Sequence, residues 1–281
     1  MRPLWRSLLF VPADDEQRLA KVATRGADAV IIDLEDAVAI DRKAAARRSV
    51  NGATSMIAQA GCPVVVRINS LWRDVTADLD AAVHPGVAAI MAPKVEDAAR
   101  LTVIGEMVRE LARERGLAEA PGLIALIESP VGLRQIDAIA AVPGVIGLAL
   151  GTEDFSLALG VPPSPQCLDL PCRQIALAAA VRGQMAIGLP ISIATIKDEA
   201  AWADAIAAAK AIGMTGALCI HPAQIGPVNG GFSPGAAEVD RARRVLAAWD
   251  NAQGASVITL DGRMIDLPVV LAARKVVALA V

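Results

Sequence analysis

Apolar runs in this chain keep stopping at a residue that can do chemistry: ADAVIIDLED, CPVVVRIN, VAAIMAPK, GLIALIES, VIGLALGTED and GALCIHP end in or run into Asp33, Glu35, Asp36, Arg67, Lys94, Glu128, Asp154 and His221. Glu128 and Asp154 close successive runs, and neighbouring strands ~4.8 Å apart would bring both carboxylates to one cation. Two carboxylates, with waters and substrate oxygens filling the remaining positions, suit Mg²⁺, and no His or Cys competes nearby in sequence. The alternative is that each acid caps the helix after its strand; two acids on successive strands favour the metal. Arg67 closes PVVVR, and its planar fork suits a substrate carboxylate or an enolate oxygen. It can also pair with Asp33, Glu35 and Asp36, and both roles can hold together. Glu35, Asp36 and Lys94 read as supporting residues, the two acids holding metal-bound waters or offsetting the charges of Lys94 and Arg67.

Other nucleophiles and bases are poorly supported. His221 precedes Pro222 and reads as a packed, hydrogen-bonded side chain rather than a general base, while His84 precedes a strand at the end associated with stability. No GxSxG elbow is present, and Cys219 lies inside an apolar strand, which argues against covalent catalysis through Ser or Cys. A Schiff base on Lys94 would compete with the nearby acids for its charge.

Strand-like and helical patterns alternate to position these groups. SLLFVP, ADAVIID, CPVVVR, VAAIMA, GLIALI, VIGLAL, LPISIATIKD and ALCI read as eight strands, mostly apolar on both faces, with amphipathic segments such as KAAARRSVNGATSMIAQAG and EDAARLTVIGEMVRELARERG between them. No GxGxxG follows any strand, so the pattern favours a TIM (β/α)8 barrel over a doubly wound sheet. The barrel is expected over 1–228. Residues 229–281 form a C-terminal extension of a turn-rich linker (NGGFSPGAAEV), a helix, a hairpin (SVITLDGRMIDLP) and a last helix, packing on the barrel or on a neighbouring subunit.

Composition agrees with a large buried core, 54% of 281 residues being hydrophobic and 20% charged. A net charge of -3, with three Phe, four Trp and no Tyr, makes nucleic acid an improbable partner. The mean hydropathy of +0.48 is assigned to alanine-rich helices and the core, because no apolar stretch approaches the ~18 residues of a membrane span. Cys62, Cys167, Cys172 and Cys219 form no CxxC pair. Reduced thiols and a cytoplasmic location, with no secretory leader, are expected.

RSLLFVPA, DAVIIDLEDAV, VVVRIN, MAPKVED, LIALIESPVGL, LALGTEDFS, CIHPAQI and DGRMIDLP, in that order and almost end to end, resemble the citrate lyase β-subunit-like branch of the HpcH/HpaI aldolase and citrate lyase superfamily. The resemblance implies a Mg²⁺-dependent carbon–carbon lyase acting on 3-hydroxyacyl thioesters such as citryl-, malyl- or citramalyl-CoA, on free CoA or a carrier-protein arm, with an oxo acid and a CoA thioester as partners. It implies that Glu128 and Asp154 hold the metal, with Glu128 beside the substrate, that Arg67 binds the oxo-acid end, and that Asp266 of DGRMID is an acid/base supplied by a neighbouring subunit of a homotrimer or higher oligomer. Malate-synthase-like or malyl-CoA thioesterase chemistry on the same site is one alternative and a catalytically silent accessory barrel another, although silence would not require Glu128, Asp154 and Arg67 together. The segments Ala13-Asp14, GLPISIATIKD and PPSPQCLDLPCRQ depart from the pattern and bear on the acyl and CoA pocket, hence on substrate identity.

Overall fold

Eight short strands make one parallel sheet: β1 (Ser7–Pro12), β2 (Ala29–Asp33), β3 (Val64–Arg67), β4 (Val87–Ala92), β5 (Gly122–Ile127), β6 (Val145–Leu150), β7 (Met185–Ile187) and β8 (Ala217–Cys219). Their order, β7-β6-β5-β4-β3-β2-β1-β8, is chain order wrapped round until β8 pairs with β1. This is a (β/α)8 barrel. Its last joint is slight: β7 and β8 share the single bridge Ile187–Gly216, flanked by Thr215 N–H to Ala186 O at 2.7 Å and Gly188 N–H to Gly216 O at 2.9 Å. The computed structural model describes residues 4–252, 254 and 256–280; the chain divides into two compact units, Met1–Gly230 and Gly231–Val281.

Helices cover the outer face of the sheet: α1 (Glu16–Val22), α2 (Lys43–Gln59), α3 (Trp72–Ala82), α4 (Ala98–Glu114), α5 (Pro130–Arg134), α6 (Ile136–Ala140), α7 (Thr152–Leu159), α8 (Pro165–Arg182), α9 (Glu199–Ala211) and α10 (Ile225–Phe232). Their sequences explain their starts and their seating. Asp15, Asp97, Ser129 and Asp198 accept from backbone N–H groups in the first turns of α1, α4, α5 and α9. Along α2, Ala46, Val50, Ala53, Thr54 and Ile57 fall on one stripe, and that stripe is buried.

Inside the barrel, alternate residues interdigitate: Leu8, Ala29, Ile31, Val65, Ala89, Met91, Ile124, Leu126, Ala149, Met185, Ile187 and Leu218 share one buried cluster. Small alanines opposite larger side chains fill the narrow interior. The same two-residue period carries each strand's inward face upward, from Ile31 to Asp33, Val65 to Arg67 and Leu126 to Glu128. The apolar filling and the charged mouth are thus consecutive layers of one periodic pattern.

Two segments differ from the sequence expectation. The seventh strand is MAI at 185–187, not LPISIATIKD. Gly183, left-handed at φ +58°, ends α8 and turns the chain straight into the sheet, and Gly188 at φ +152° with Pro190 takes it out again. Likewise, the start of the expected linker, from Asn229 to Phe232, is helical as the end of α10.

The second unit contains α11 (Ala236–Asn251), the antiparallel strands β9 (Val257–Leu260) and β10 (Arg263–Asp266), and α12 (Leu267–Ala278). Asp261 and Gly262 both take positive φ, +51° and +71°, as a two-residue I′ hairpin turn requires. Ala242, Val245, Ile265, Val270 and Ala273 form its core.

Candidate active site

Asp33 and Arg67 are register partners at the ends of β2 and β3. The guanidinium donates from Nε to Asp33 Oδ1 at 2.7 Å and from Nη2 to Asp33 Oδ2 at 2.6 Å, a bidentate pair in which Asp33 is 1% and Arg67 8% exposed. Asp33 is itself held by N–H groups of Glu35 and Ala37, at 2.9 and 3.1 Å. The Phe10 ring lies 4.8 Å under the guanidinium carbon. Nη1 is not engaged by Asp33, and it meets Glu35 at 3.1 Å and Asp36 at 3.6 Å. Burial opposes the charge of Arg67, but the hydrogen bonds and charge of Asp33, with Glu35 and Asp36, outweigh it and hold the group well above its ordinary pKa.

Lys94 joins this cluster to the next strand end. It is one of two non-glycine residues at positive φ among the described residues (+51°), which aims its backbone N–H at Glu128 Oε2, 2.6 Å away. Its ammonium reaches Glu35 Oε1 at 2.9 Å and Asp36 at 3.6 Å. Burial would lower its pKa, but the bond to Glu35 and the surrounding acids push it up to about 12. That leaves Lys94 protonated and unsuited to Schiff-base chemistry. Burial raises the pKa of Glu35, and its Oε2 is buried without a hydrogen bond.

Glu128 follows β5 directly and is 5% exposed. Burial, with the charges of Glu35 and Asp154, pushes its pKa up to about 8, against the lowering effect of the Lys94 N–H and Arg67. Room for it comes from Gly151: a Cβ there would stand 2.5 Å from Glu128 Cγ and 2.8 Å from Oε1. Asp154 is not a strand-end residue; it lies in the first turn of α7. Its side chain makes no hydrogen bond or ion pair among the described residues. Neither acid caps a helix, since Ser129 caps α5 and α7 has no side-chain cap bond.

Asp33, Asp36, Arg67, Glu128 and Asp154 line one cavity of about 400 Å³ at the barrel mouth, whose other side presents Leu150, Ile193, Leu218 and Ile220. Glu35 and Lys94 connect to it through the ion pairs above. His221 is exposed rather than packed; its ring accepts from Ala223 N–H at 3.2 Å and opens a short turn after β8. The neighbouring Gln224 holds that end of the mouth, accepting from Ile220 and His221 N–H groups and donating to Ile193 O at 2.9 Å. His84 is buried before β4. Asp266 belongs to the second unit, where it caps α12 by accepting from Val269 N–H at 3.3 Å. Cys219 is buried, and burial pushes its thiol up to about 12. No group of three or more His, Cys, Asp or Glu arranged to hold a metal occurs among the described residues.

Residues 6–222 match the model of the HpcH/HpaI aldolase/citrate lyase family. The chain belongs to this family. It is 32% identical over 282 residues to the citrate lyase subunit beta of Escherichia coli, covering 98% of this chain and 93% of that one. It is equally 32% identical, over 284 residues, to the (3S)-malyl-CoA thioesterase of Cereibacter sphaeroides, covering 98% and 94%. The crystal structure of CitE from Mycobacterium tuberculosis with magnesium, acetoacetate and coenzyme A superposes with a TM-score of 0.77 at 31% identity, covering 100% of this chain and 99% of that one.

Within this family fold, sequence reasoning missed several parts of the mouth. Gly151 had a readable signal, a glycine directly after an apolar strand and before acids. Glu153 had none: its Oε1 accepts from Ser192 Oγ at 2.8 Å and Ile193 N–H at 3.1 Å, tying the loop after β7 to α7. Asp78 had none either; buried in α3, it accepts from Asn69 and from Arg47, fixing the loop after β3 beneath the Arg67 strand end.

Proposed function

We propose that the protein is a Mg²⁺-dependent carbon–carbon lyase that cleaves a 3-hydroxyacyl-CoA thioester to acetyl-CoA and a 2-oxo acid. The observation that carries this reading is the meeting of Glu128, Asp154 and Arg67 in one cavity. Glu128 and Asp154 would hold the ion. They suit Mg²⁺, which keeps several waters and takes only one or two carboxylates from the protein. Burial above all, with Glu35 and Asp154 nearby, pushes Glu128 up to about 8 in spite of Arg67, so its negative charge is incompletely balanced. When bound, Mg²⁺ supplies the positive charge that favours ionisation of the substrate hydroxyl.

The protein's own residues account for the rest. Arg67, locked by Asp33 on two of its nitrogens, presents Nη1 to the substrate carboxylate, displacing Asp36, whose side chain is 54% exposed. Lys94 keeps Glu128 in place through its backbone N–H and balances Glu35 through its ammonium. Removal of the hydroxyl proton lets the bond between the carbinol carbon and the thioester α-carbon break, its electron pair passing to a thioester enolate. Asp266, from a neighbouring copy in a homotrimer, is assigned the proton transfers, ending with delivery of a proton to the enolate carbon. The relatives named citrate lyase subunit beta and malyl-CoA thioesterase, and the magnesium and coenzyme A of the CitE structure, support this reading.

The test is a coupled assay of purified protein with malyl-, citramalyl- and citryl-CoA, following acetyl-CoA and oxo-acid release with and without EDTA. EDTA-sensitive cleavage, together with Mg²⁺-induced thermal stabilisation that Glu128→Gln and Asp154→Asn abolish, is expected. Release of free CoA and an intact hydroxy acid would replace lyase by thioesterase. Cleavage that persists in both variants would remove the metal assignment.

A further inference from the structure

The mouth of the barrel is divided by polarity. From β2 to the start of α7 its charged residues are Asp33, Asp36, Arg67, Glu128, Glu153 and Asp154, with Leu126 and Leu150 among them; from the loop after β7 through β8 to β1 it carries Ile193, Leu218, Ile220, Phe10 and Pro12. A recess of about 10 Å³ shares Leu150, Thr152, Ile193 and Leu218 with this cavity and is otherwise lined by Gly188, Leu189, Ile191 and Trp202. That is room for one water-sized or methyl-sized group. The cavity has two cations on its lining, Arg67 and Arg18. Three of the four acids near Arg67 already engage it, and Arg18 lies on the rim, 71% exposed and paired with Asp15 at 3.1 Å. The charged side chain on the lining nearest the apolar part is Glu153, an anion, held by Ser192 and Ile193.

A 2-oxo acid has three groups on its carbonyl carbon: the oxygen, the carboxylate and one substituent. Oxygen and carboxylate belong with the charged side, where Arg67 and the Glu128–Asp154 pair lie. The substituent then faces the apolar side. We propose that this substituent is hydrogen or a short alkyl group, so that the substrate's oxo-acid half is of the glyoxylate, pyruvate or 2-oxobutyrate type and not a dicarboxylate such as oxaloacetate. The inference rests on the lyase reading above. A second carboxylate would lose its hydration against Leu150, Ile193 and Leu218, find only Arg18, at the rim and already paired with Asp15, and meet Glu153; a charge so poorly paired is disfavoured.

The test is calorimetric titration of the Mg²⁺-loaded protein with glyoxylate, pyruvate, 2-oxobutyrate and oxaloacetate, beside kcat/KM for cleavage of the matching CoA thioesters. Pyruvate or 2-oxobutyrate is expected to bind at least about 100-fold more tightly than oxaloacetate. Ile193→Lys should narrow that ratio at least tenfold, since it sets an ammonium opposite Arg67 while the backbone of residue 193 stays held by Glu153 and Gln224. Ile193→Ala, with no new charge, should leave oxaloacetate excluded and loosen only the alkyl oxo acids. Oxaloacetate binding as tightly as pyruvate in the unaltered protein would overturn the inference and leave the lyase reading intact. Selective pyruvate binding without cleavage of any thioester would uphold the inference and overturn the lyase reading; binding of none of the four would overturn both.

Discussion

Replacing Gly151 by alanine adds one carbon and two hydrogens, yet it should disable the site. The new Cβ would stand 2.5 Å from Glu128 Cγ, whereas carbon atoms pack at about 3.5–4.0 Å. Glu128 must therefore retreat by about 1 Å. The backbone at 151 can accept the methyl, since Gly151 has φ -89° and ψ 95°, so the strain falls on the carboxylate. Overpacking of this kind costs about 1–3 kcal/mol, a fall of a few degrees in Tm, and the fold should persist. A misplacement of about 1 Å at a reacting centre costs on the order of 100-fold in rate. The assay is kcat/KM against Mg²⁺ concentration, with thermal denaturation in parallel: the expected result is a rate lowered about 100-fold, a weakened Mg²⁺ requirement curve and a near-normal Tm. A Gly151→Ala protein with unaltered rate and Mg²⁺ dependence would show that Glu128 does not work from the position it occupies here.

Other expectations follow from neighbouring contacts. Asp33→Ala leaves Arg67 buried with Nε and Nη2 unpaired and should cost about 3–5 kcal/mol in urea unfolding; a loss under 1 kcal/mol would mean that Glu35 and Asp36 suffice to hold the guanidinium. Lys94→Met keeps the backbone bond to Glu128 but strips Glu35 of its ammonium, so KM for the thioester and the pH profile should shift while Tm changes little, and an unchanged profile would reduce Lys94 to a surface cation. His84 has its pKa lowered by burial, so the folded state takes up its proton less readily than the unfolded state. Its contribution is complete above the unfolded pKa of about 6.5 and is lost as pH falls below it. The stability difference between pH 7.5 and 5.5 should therefore shrink in His84→Phe, and an unchanged difference would locate the acid sensitivity elsewhere. Gly216→Ala would drive a Cβ to 2.5 Å from Arg6 O and into Trp5 O, where β8 closes on β1; it should prevent folding or lower Tm by more than 10 °C, and normal expression with an unchanged Tm would contradict the closure described.

The site was legible to the extent that it follows from strand periodicity. Asp33, Arg67 and Glu128 each continue the inward-facing alternation of an apolar run, so an apolar run followed by a charge was a sound guide to position. It failed at Asp154, which helix geometry carries into α7, and at β7, where three residues suffice in the sheet while the longer, β-branched LPISIATI remains a loop. Periodicity is also blind to contacts between distant segments. Nothing local announces that Asp33 takes two nitrogens of Arg67, that Glu153 pins Ser192, or that a positive φ at Lys94 turns its N–H toward Glu128.

The slight joint between β7 and β8 gives the barrel a mechanical asymmetry. β1 and β2 share five residue pairs and β2 and β3 four, against one bridge where the ring closes. Amide exchange should be fastest in the hydrogen bonds of Thr215 and Gly188, and thermal breathing of the ring should concentrate there. The charges proposed to bind metal and substrate stand on the stiff arc, β2 to β6, while Ile193 and Leu218 stand on either side of the pliant closure. The side chains proposed to face the oxo-acid substituent can therefore yield, or be exchanged, without disturbing the spacing of Arg67 and Glu128. On the proposed reading, chemistry and selectivity share one cavity but rest on parts of different compliance.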